Sequence, residues 1–263
     1  MSDNMIIHST ESNGEPMLNP GEHFEPLGNG ISVIVSDENH FSTDTILLAH
    51  FSAPKKHEKV IELGSGCGTV SLIWCRKSPP RSVTAVEIQP QAADMIRRGV
   101  LHNKLENVIT VINGDLRDLG GMVEFGSYDM AAMNPPYKIG GGGLFNPNEN
   151  KKIARHETEC TLDDITKAAA RLLRFGGRFC ICQRPERLSD VLLSMRNAGI
   201  EPKKLRLVQQ RKDKAPKLFL AEGKRGGQPG GLVVQPTLFI ENDNFELSQE
   251  MIDIYGDYKE KYL

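Results

Sequence analysis

Residues 1–54 contain no lysine or arginine, in a chain of 263 residues that carries 32 of them. The polar stretch Met1 to Pro20 has neither the basic head nor the apolar core of a secretory signal, and it reads as loosely attached chain. Long hydrophobic runs are missing too. No stretch approaches the 18 apolar residues that a membrane-spanning helix needs, so no membrane partner is expected. Cysteine is scarce and scattered, at Cys67, Cys75, Cys160, Cys180 and Cys182. Cys180 and Cys182 share one side of an apolar strand pattern, but no second ligand pair exists. They read as buried reduced thiols, with no metal, in a cytoplasmic protein. No internal repeat is visible.

What is present fits one α/β domain with small appendages, since 39% hydrophobic content is enough for a core. Phe24 to Val35 reads as a hairpin around Gly28-Asn29-Gly30. Ser42 or Thr43 is placed to cap a helix running to Phe51. From Val60 onward strands and helices alternate. Strands are expected at roughly 60–63, 83–87, 108–112, 129–133, 178–183 and 204–210, and helices at roughly 68–76, 90–104, 161–174 and 185–198. Thr161-x-x-Asp164 makes a capping box, Gly176 is placed to end that helix, and Pro185 and Gly199 bracket the next. Such alternation implies a mainly parallel sheet. Leu247, Met251, Ile254, Tyr255 and Tyr258 have helical spacing. The expected division is a tail and hairpin over 1–40, a main domain over 41–241 and an amphipathic helix over 242–263.

Asn134-Pro135-Pro136-Tyr137 follows the apolar run Met130 to Met133. Two prolines cannot continue a sheet ladder, but they hold neighbouring groups in fixed directions. The Asn134 carboxamide and the Pro135 carbonyl are acceptors that suit a planar NH2 group, and Tyr137 offers a face for a ring. A tight turn with an ordinary packed tyrosine is the competing explanation. A second motif shifts the balance. Val60-Ile61-Glu62-Leu63 leads into Gly64-Ser65-Gly66-Cys67-Gly68 and then an apolar helix. This Gly-x-Gly-x-Gly loop is shorter than the dinucleotide fingerprint and suits a nucleoside without a pyrophosphate. Glu87 ends the next strand, about 20 residues past the glycines, where ribose hydroxyls are held in this architecture. Asp115 follows a third strand. All four features fall at strand carboxyl ends, where open α/β sheets bind ligands.

In these motifs the chain resembles the class I S-adenosylmethionine-dependent methyltransferases, and within them the bacterial tRNA1(Val) adenine-N6-methyltransferase family. Phe41 to Ala49, Ala154 to Glu157, Arg174 to Arg178 and Arg184 to Leu188 carry the likeness further, over roughly residues 20 to 240. Many relatives have a second aromatic after the tyrosine; here it is Lys138. The resemblance implies a Rossmann-like seven-stranded sheet, mainly parallel with an antiparallel edge strand and helices on both faces. It implies S-adenosyl-L-methionine as cofactor, with Gly64, Gly66 and Gly68 passing the methionine part, Glu87 on the ribose and Asp115 on the adenine amine. Glu62, Thr43 and Asp44 would face the methionine end, with Asn134 beside the methyl group.

Charge bears on the substrate. Residues 203–225 carry nine basic residues against two acidic ones. Basic segments are often no more than solvated loops. As a phosphate-binding strip, Lys203, Lys204, Arg211 and Lys212 would join Lys138, Lys151, Lys152 and Arg155 from the long segment after the Asn-Pro-Pro-Tyr turn. The resemblance and the charge together imply methylation of an adenine amine in RNA, in the tRNA anticodon loop, with tRNA or another structured RNA as partner. A protein glutamine or an rRNA guanine is the alternative target, and a non-catalytic module binding cofactor or RNA a lesser one. Oligomeric state is not legible.

Overall fold

The computed structural model describes residues 18–136 and 160–259. Tyr137, Lys138, Lys151, Lys152 and Arg155 lie outside them. An amino-terminal hairpin pairs β1 (His23–Gly28) with β2 (Ile31–Val35), as the glycine-flanked turn requires. Helix α1 (Thr43–Ser52) follows, and then the alternating part of the chain begins. It runs through β3 (Lys59–Leu63), α2 (Thr69–Trp74), β4 (Ser82–Glu87), α3 (Pro90–His102), β5 (Ile109–Asn113) and β6 (Tyr128–Met133). Helix α4 (Leu162–Leu172) leads into β7 (Leu173–Gln183), α5 (Leu188–Asn197), β8 (Ile200–Gln209) and β9 (Pro216–Arg225). Two-residue strands β10 (Val233–Val234) and β11 (Leu238–Phe239) precede α6 (Gln249–Tyr255).

The main sheet has the order β10-β8-β9-β7-β6-β3-β4-β5, with β11 also pairing with β8. Seven long strands, β3 to β9, make its body. All pairs from β7 to β5 are parallel, while β9 is antiparallel to both its neighbours. The antiparallel strand is therefore not outermost. β8 lies beyond it, and β10 and β11 cover part of β8's outer edge.

Side-chain alternation sorts the core into two layers. Val60, Met130, Ala132, Cys180 and Cys182 face one cluster built with α1, α2, α3 and α6. Ile61, Leu63, Ala131, Met133, Phe179 and Ile181 face the other, built with α4 and α5. Helix α4 starts with the expected capping box: the Thr161 hydroxyl accepts from Asp164 N at 3.2 Å, and the Asp164 carboxylate accepts from Thr161 N at 2.9 Å. Gly176 does not end it. The chain passes from Leu172 straight into strand, and Gly176 (φ +80°) sits in a bulge between the pairs Tyr128–Leu173 and Met130–Arg178. The last helix is also shorter than the spacing predicts. It stops at Tyr255, and the chain continues as a 3-10 turn over Gly256–Lys259.

Arg178 ties the layers together. Its guanidinium donates to the Ser52 carbonyl at the end of α1 and to Glu58 at 2.7 Å, and lies 3.5 Å from Glu222 on β9. Both carboxylate residues are buried. Arg178→Met strands two acids, of which only Glu222 keeps a cation, Lys204 at 2.8 Å. The expected loss is about 3 kcal/mol, at the lower end for removing one partner of a buried pair. Urea unfolding followed by circular dichroism measures it; an unchanged midpoint would show that Arg178 does not carry this junction.

Candidate active site

The direction of chain progression reverses beside β3: β4 and β5 lie on one side of it, β6 and β7 on the other. At such a switch point the loops after adjacent strands part and leave a crevice at their carboxyl ends. A cleft of about 590 Å³ lies there, walled by the segments that follow β3, β4, β5, β6 and β7.

Glu87 lines it, buried, with its carboxylate held by two backbone N–H groups, Gly66 N at 2.8 Å and Gln89 N at 2.8 Å. The strand end that carries it is braced by Asn113, whose amide donates to the carbonyls of Glu87 (2.9 Å) and Ile88 (3.0 Å). Gly64 and Gly66 form the wall beside it, both with positive φ. Gly68 is not in that wall. It begins α2 with φ +84°, and a Cβ there would come 3.0 Å from Ile96 of α3. Its task is to let two helices approach.

Asp115 is in the wall, gripped by Arg117 through Nε and Nη2 at 3.0 and 2.5 Å. That guanidinium lowers the carboxyl's pKa. Asn134, Pro135 and Pro136 line the opposite side. The Asn134 amide nitrogen donates to the Thr45 hydroxyl of α1 at 3.1 Å. A donor fixed on Thr45 sets the carboxamide plane and with it the direction of its oxygen.

Like Gly68, the expected cofactor residues Glu62, Thr43 and Asp44 are outside the cleft wall. Glu62 shares the α2-facing side of its strand with Val60, as alternation dictates, and accepts from Ser71 N at 3.0 Å and Ser71 Oγ at 2.5 Å. Thr43 and Asp44 open α1 outside the cleft wall, and the Thr43 hydroxyl lies 3.2 Å from that of Tyr255. The α1 residue that reaches the site is Thr45, two positions on. Motif reading does not find Thr45, Arg117, Gln183 or Arg187. The one trace of Thr45 and Gln183 in the sequence is a polar residue opening or ending an apolar run.

The four cations of 203–212 divide into two groups. Strand β8 runs in the direction of β7, so Arg211 and Lys212, beyond Gln209, lie at the cleft edge of the sheet. Lys204 is level with Cys180 through Glu222, three residues below Gln183, or about 10 Å down the strand. All four are engaged within the chain. Lys203 donates to the carbonyls of Gln228 and Gly230, and Lys204 pairs with Glu222. Arg211 pairs with Glu241 at 3.0 Å, and Lys212 with Asp243 at 3.1 Å.

The family model of the methyltransferase small domain matches residues 33–196, which include the glycine loop, Glu87, Asp115 and Asn134. The chain belongs to this methyltransferase family. S-adenosylmethionine is the methyl donor of such enzymes. Among curated relatives, a tRNA1(Val) (adenine(37)-N6)-methyltransferase of Flavobacteriaceae bacterium strain 3519-10 is 27% identical over 53% of this chain and 57% of its own length. Its namesake from Porphyromonas gingivalis strain ATCC 33277 is 26% identical over 68% of this chain and 72% of its own length. The fold matches that of a predicted O-methyltransferase from Agrobacterium tumefaciens, with TM-score 0.67 and 17% identity over 82% of this chain and 97% of that one. Methanocaldococcus jannaschii Trm5 in complex with adenosine matches with TM-score 0.57 and 16% identity, over 80% and 57% of the two chains.

Burial lifts the Glu62 carboxyl of this methyltransferase to about 8; the Ser71 hydrogen bonds oppose the shift and the Glu87 charge adds to it. Unfolded, Glu62 titrates near 4.5. Between those values the unfolded chain binds fewer protons than the folded one, so stability falls as pH rises. Glu62→Gln removes this slope. The variant's urea midpoint should gain on wild type steadily from pH 5 to pH 8; a difference that does not vary with pH would mean that Glu62 folds as a carboxylate.

Proposed function

We propose that this chain methylates the exocyclic amine of adenine in RNA, with a tRNA anticodon loop as substrate. The observation that carries the reading is the Asn134 carboxamide, turned by Thr45 at the edge of a cleft whose far wall holds Glu87 and Asp115. The cleft suits S-adenosylmethionine. Gly64 and Gly66 leave bare backbone for the methionine part, Glu87 would hold the ribose hydroxyls, and Asp115 would accept from the adenine amine. Val86, Ile88 and Leu116 supply apolar surface between the two acids. When bound, the cofactor supplies an electrophilic methyl group on a sulfonium, and transfer depends mainly on alignment.

The chain's own part is to hold the nucleophile. An adenine amine is weakly nucleophilic because its lone pair is delocalised into the ring. Asn134 Oδ1 and the Pro135 carbonyl would accept its two hydrogens, favour a pyramidal nitrogen and free that pair. Pro136 keeps the turn rigid, and Tyr137 would stack on the base. Neither acceptor is basic, so the proton of the methylated amine passes to water. A base in a single-stranded loop reaches such a pocket at small cost. The relatives' names favour RNA over a glutamine side chain, which the same acceptors would fit.

Of the phosphate strip, Lys203 and Lys204 are better placed for structure than for RNA, being held by buried or backbone partners. Arg211, Lys212 and Lys214, at the cleft edge, are the phosphate-binding residues we assign, with Lys138, Lys151, Lys152 and Arg155 joining them. The Lys212–Asp243 pair is exposed on both sides and gives way readily to phosphate.

Labelled cofactor offered to tRNA and to a ribosomal protein extract side by side tests the substrate: label should enter tRNA adenosine, and label confined to protein would overturn the reading. In the same assay Asn134→Ala should abolish transfer while calorimetry shows unchanged cofactor affinity, whereas Glu87→Ala should weaken cofactor binding by about 1–3 kcal/mol.

RNA binding measured against salt tests the strip. Replacing Arg211, Lys212 and Lys214 by Ala should reduce the log–log slope by about 0.7–0.9 for each phosphate that is no longer neutralised, and Lys203→Ala should leave it unchanged. Equal slopes in all three proteins would remove the rim from the RNA interface.

A further inference from the structure

Gln183 ends β7 as a polar residue on a strand that is otherwise apolar from Phe179 to Cys182. It lines the cleft and is only 4% exposed. Burying an amide is costly unless its hydrogen-bonding groups find partners. One does: the side-chain oxygen accepts from Arg184 N at 2.8 Å. Because the donor is a backbone N–H, the atom facing it must be the oxygen, which settles the orientation of the amide. The NH2 end therefore points away from Arg184, and it makes no hydrogen bond to any described residue. A side-chain donor in the wall of a cleft, with no partner among the described residues, is open to a ligand.

Its place on the sheet says which part of the ligand. Ile181 is the Cα partner of Met133 in the last pair of that ladder, and carrying the register two residues further puts Gln183 opposite Pro135. On its other side it pairs with Phe219 of β9. Ile181 and Met133 point to the same layer, and alternation sends Gln183 there too, towards the starts of α4 and α5. A donor on Gln183 is thus set beside an acceptor on Pro135.

We infer that Gln183 is a specificity-determining residue whose Nε2 donates to a ring nitrogen of the target base next to the reacting amine. This rests on the proposed methylation of adenine. On adenine the amine is flanked on both sides by acceptors, N1 and N7, so an acceptor and a donor side by side read one edge, as Gln and Asn do in nucleic-acid grooves. Guanine offers O6 in the place of that amine and a donor at N1, which reverses the pattern on its Watson–Crick edge. The pair therefore selects for adenine before any chemistry occurs, and leaving the Gln183 donor unmatched costs the wrong base its place.

The test is a substitution cycle between residue and base, using the full chain. Anticodon stem-loops carry adenosine, 1-deazaadenosine or 7-deazaadenosine at the methylated position, and kcat/KM is measured for wild type, Gln183→Glu and Gln183→Leu. Gln183→Glu keeps the acceptor for Arg184 N but puts a charge in place of the donor, and Gln183→Leu removes donor and acceptor without adding a charge, so a loss common to both reports the donor. Calorimetric cofactor affinity, unchanged in both variants, confirms an intact cleft. Wild type should lose about tenfold or more on one of the two deaza substrates. Both variants should lose a similar factor on adenosine and show no further loss on that same analogue. If each analogue costs wild type and variants the same factor, or costs wild type nothing, Gln183 does not read the base, while the adenine reading stands. If wild type methylates no RNA adenosine at all, that reading falls and takes this assignment with it.

Discussion

Strand β3 lies between β4 and β6, parallel to both, and almost everything at the cleft follows from that placement. Parallel strands all present their carboxyl ends to the same edge, so the loops carrying Gly64, Glu87, Asp115, Asn134 and Gln183 converge there although they are far apart in the chain. The reversal beside β3 opens the space between them. Backbone donors then do the fine work. Glu87 is aimed by the N–H groups of Gly66 and Gln89, and Gln183 by that of Arg184. Groups that must face a ligand are oriented by neighbours that are already fixed, which is how a site avoids reorganisation when it is used.

Burial and charge are handled differently at the two glutamates of the neighbouring strands. Glu62 and Glu87 both end near the glycine loop, yet one faces α2 and the other the cleft. The first is a buried acid whose ionised form is disfavoured, and Ser71 meets it with both N–H and hydroxyl. Lower in the sheet Arg178 gathers Glu58, Glu222 and the end of α1. Through α1 this junction reaches Thr45, and through Thr45 the carboxamide of Asn134. The geometry at the reacting end therefore rests on the packing of a helix that contributes just one side chain to it.

The basic segment shows how far net charge and available charge can diverge. Nine cations within 23 residues look like an electrostatic surface, but several are already answered by acids brought in from β9 and from residues 241–250. Which cations remain available to a ligand is decided by which pairs are exposed and at which edge of the sheet they lie.

The local rules in the sequence were enough for the order of strands and helices, the hairpin, the capping box and the glycine loop, because each depends on residues close in the chain. The family resemblance, now matched by the family model, carried the fold and the chemistry. That Asn134, Glu87, Asp115, Gly64 and Gly66 line the cleft was legible because they follow or end strands at the carboxyl edge of the sheet. Glu62, Thr43, Asp44 and Gly68 lie outside the cleft wall, and proximity in sequence to a binding loop does not say which side of a strand or helix a residue occupies. Thr45 and Gln183 carry no motif of their own. Their partners lie across α1 and β6 or one peptide away, and it is the packing of helix on sheet, with the strand register, that turns an ordinary threonine and glutamine towards the site.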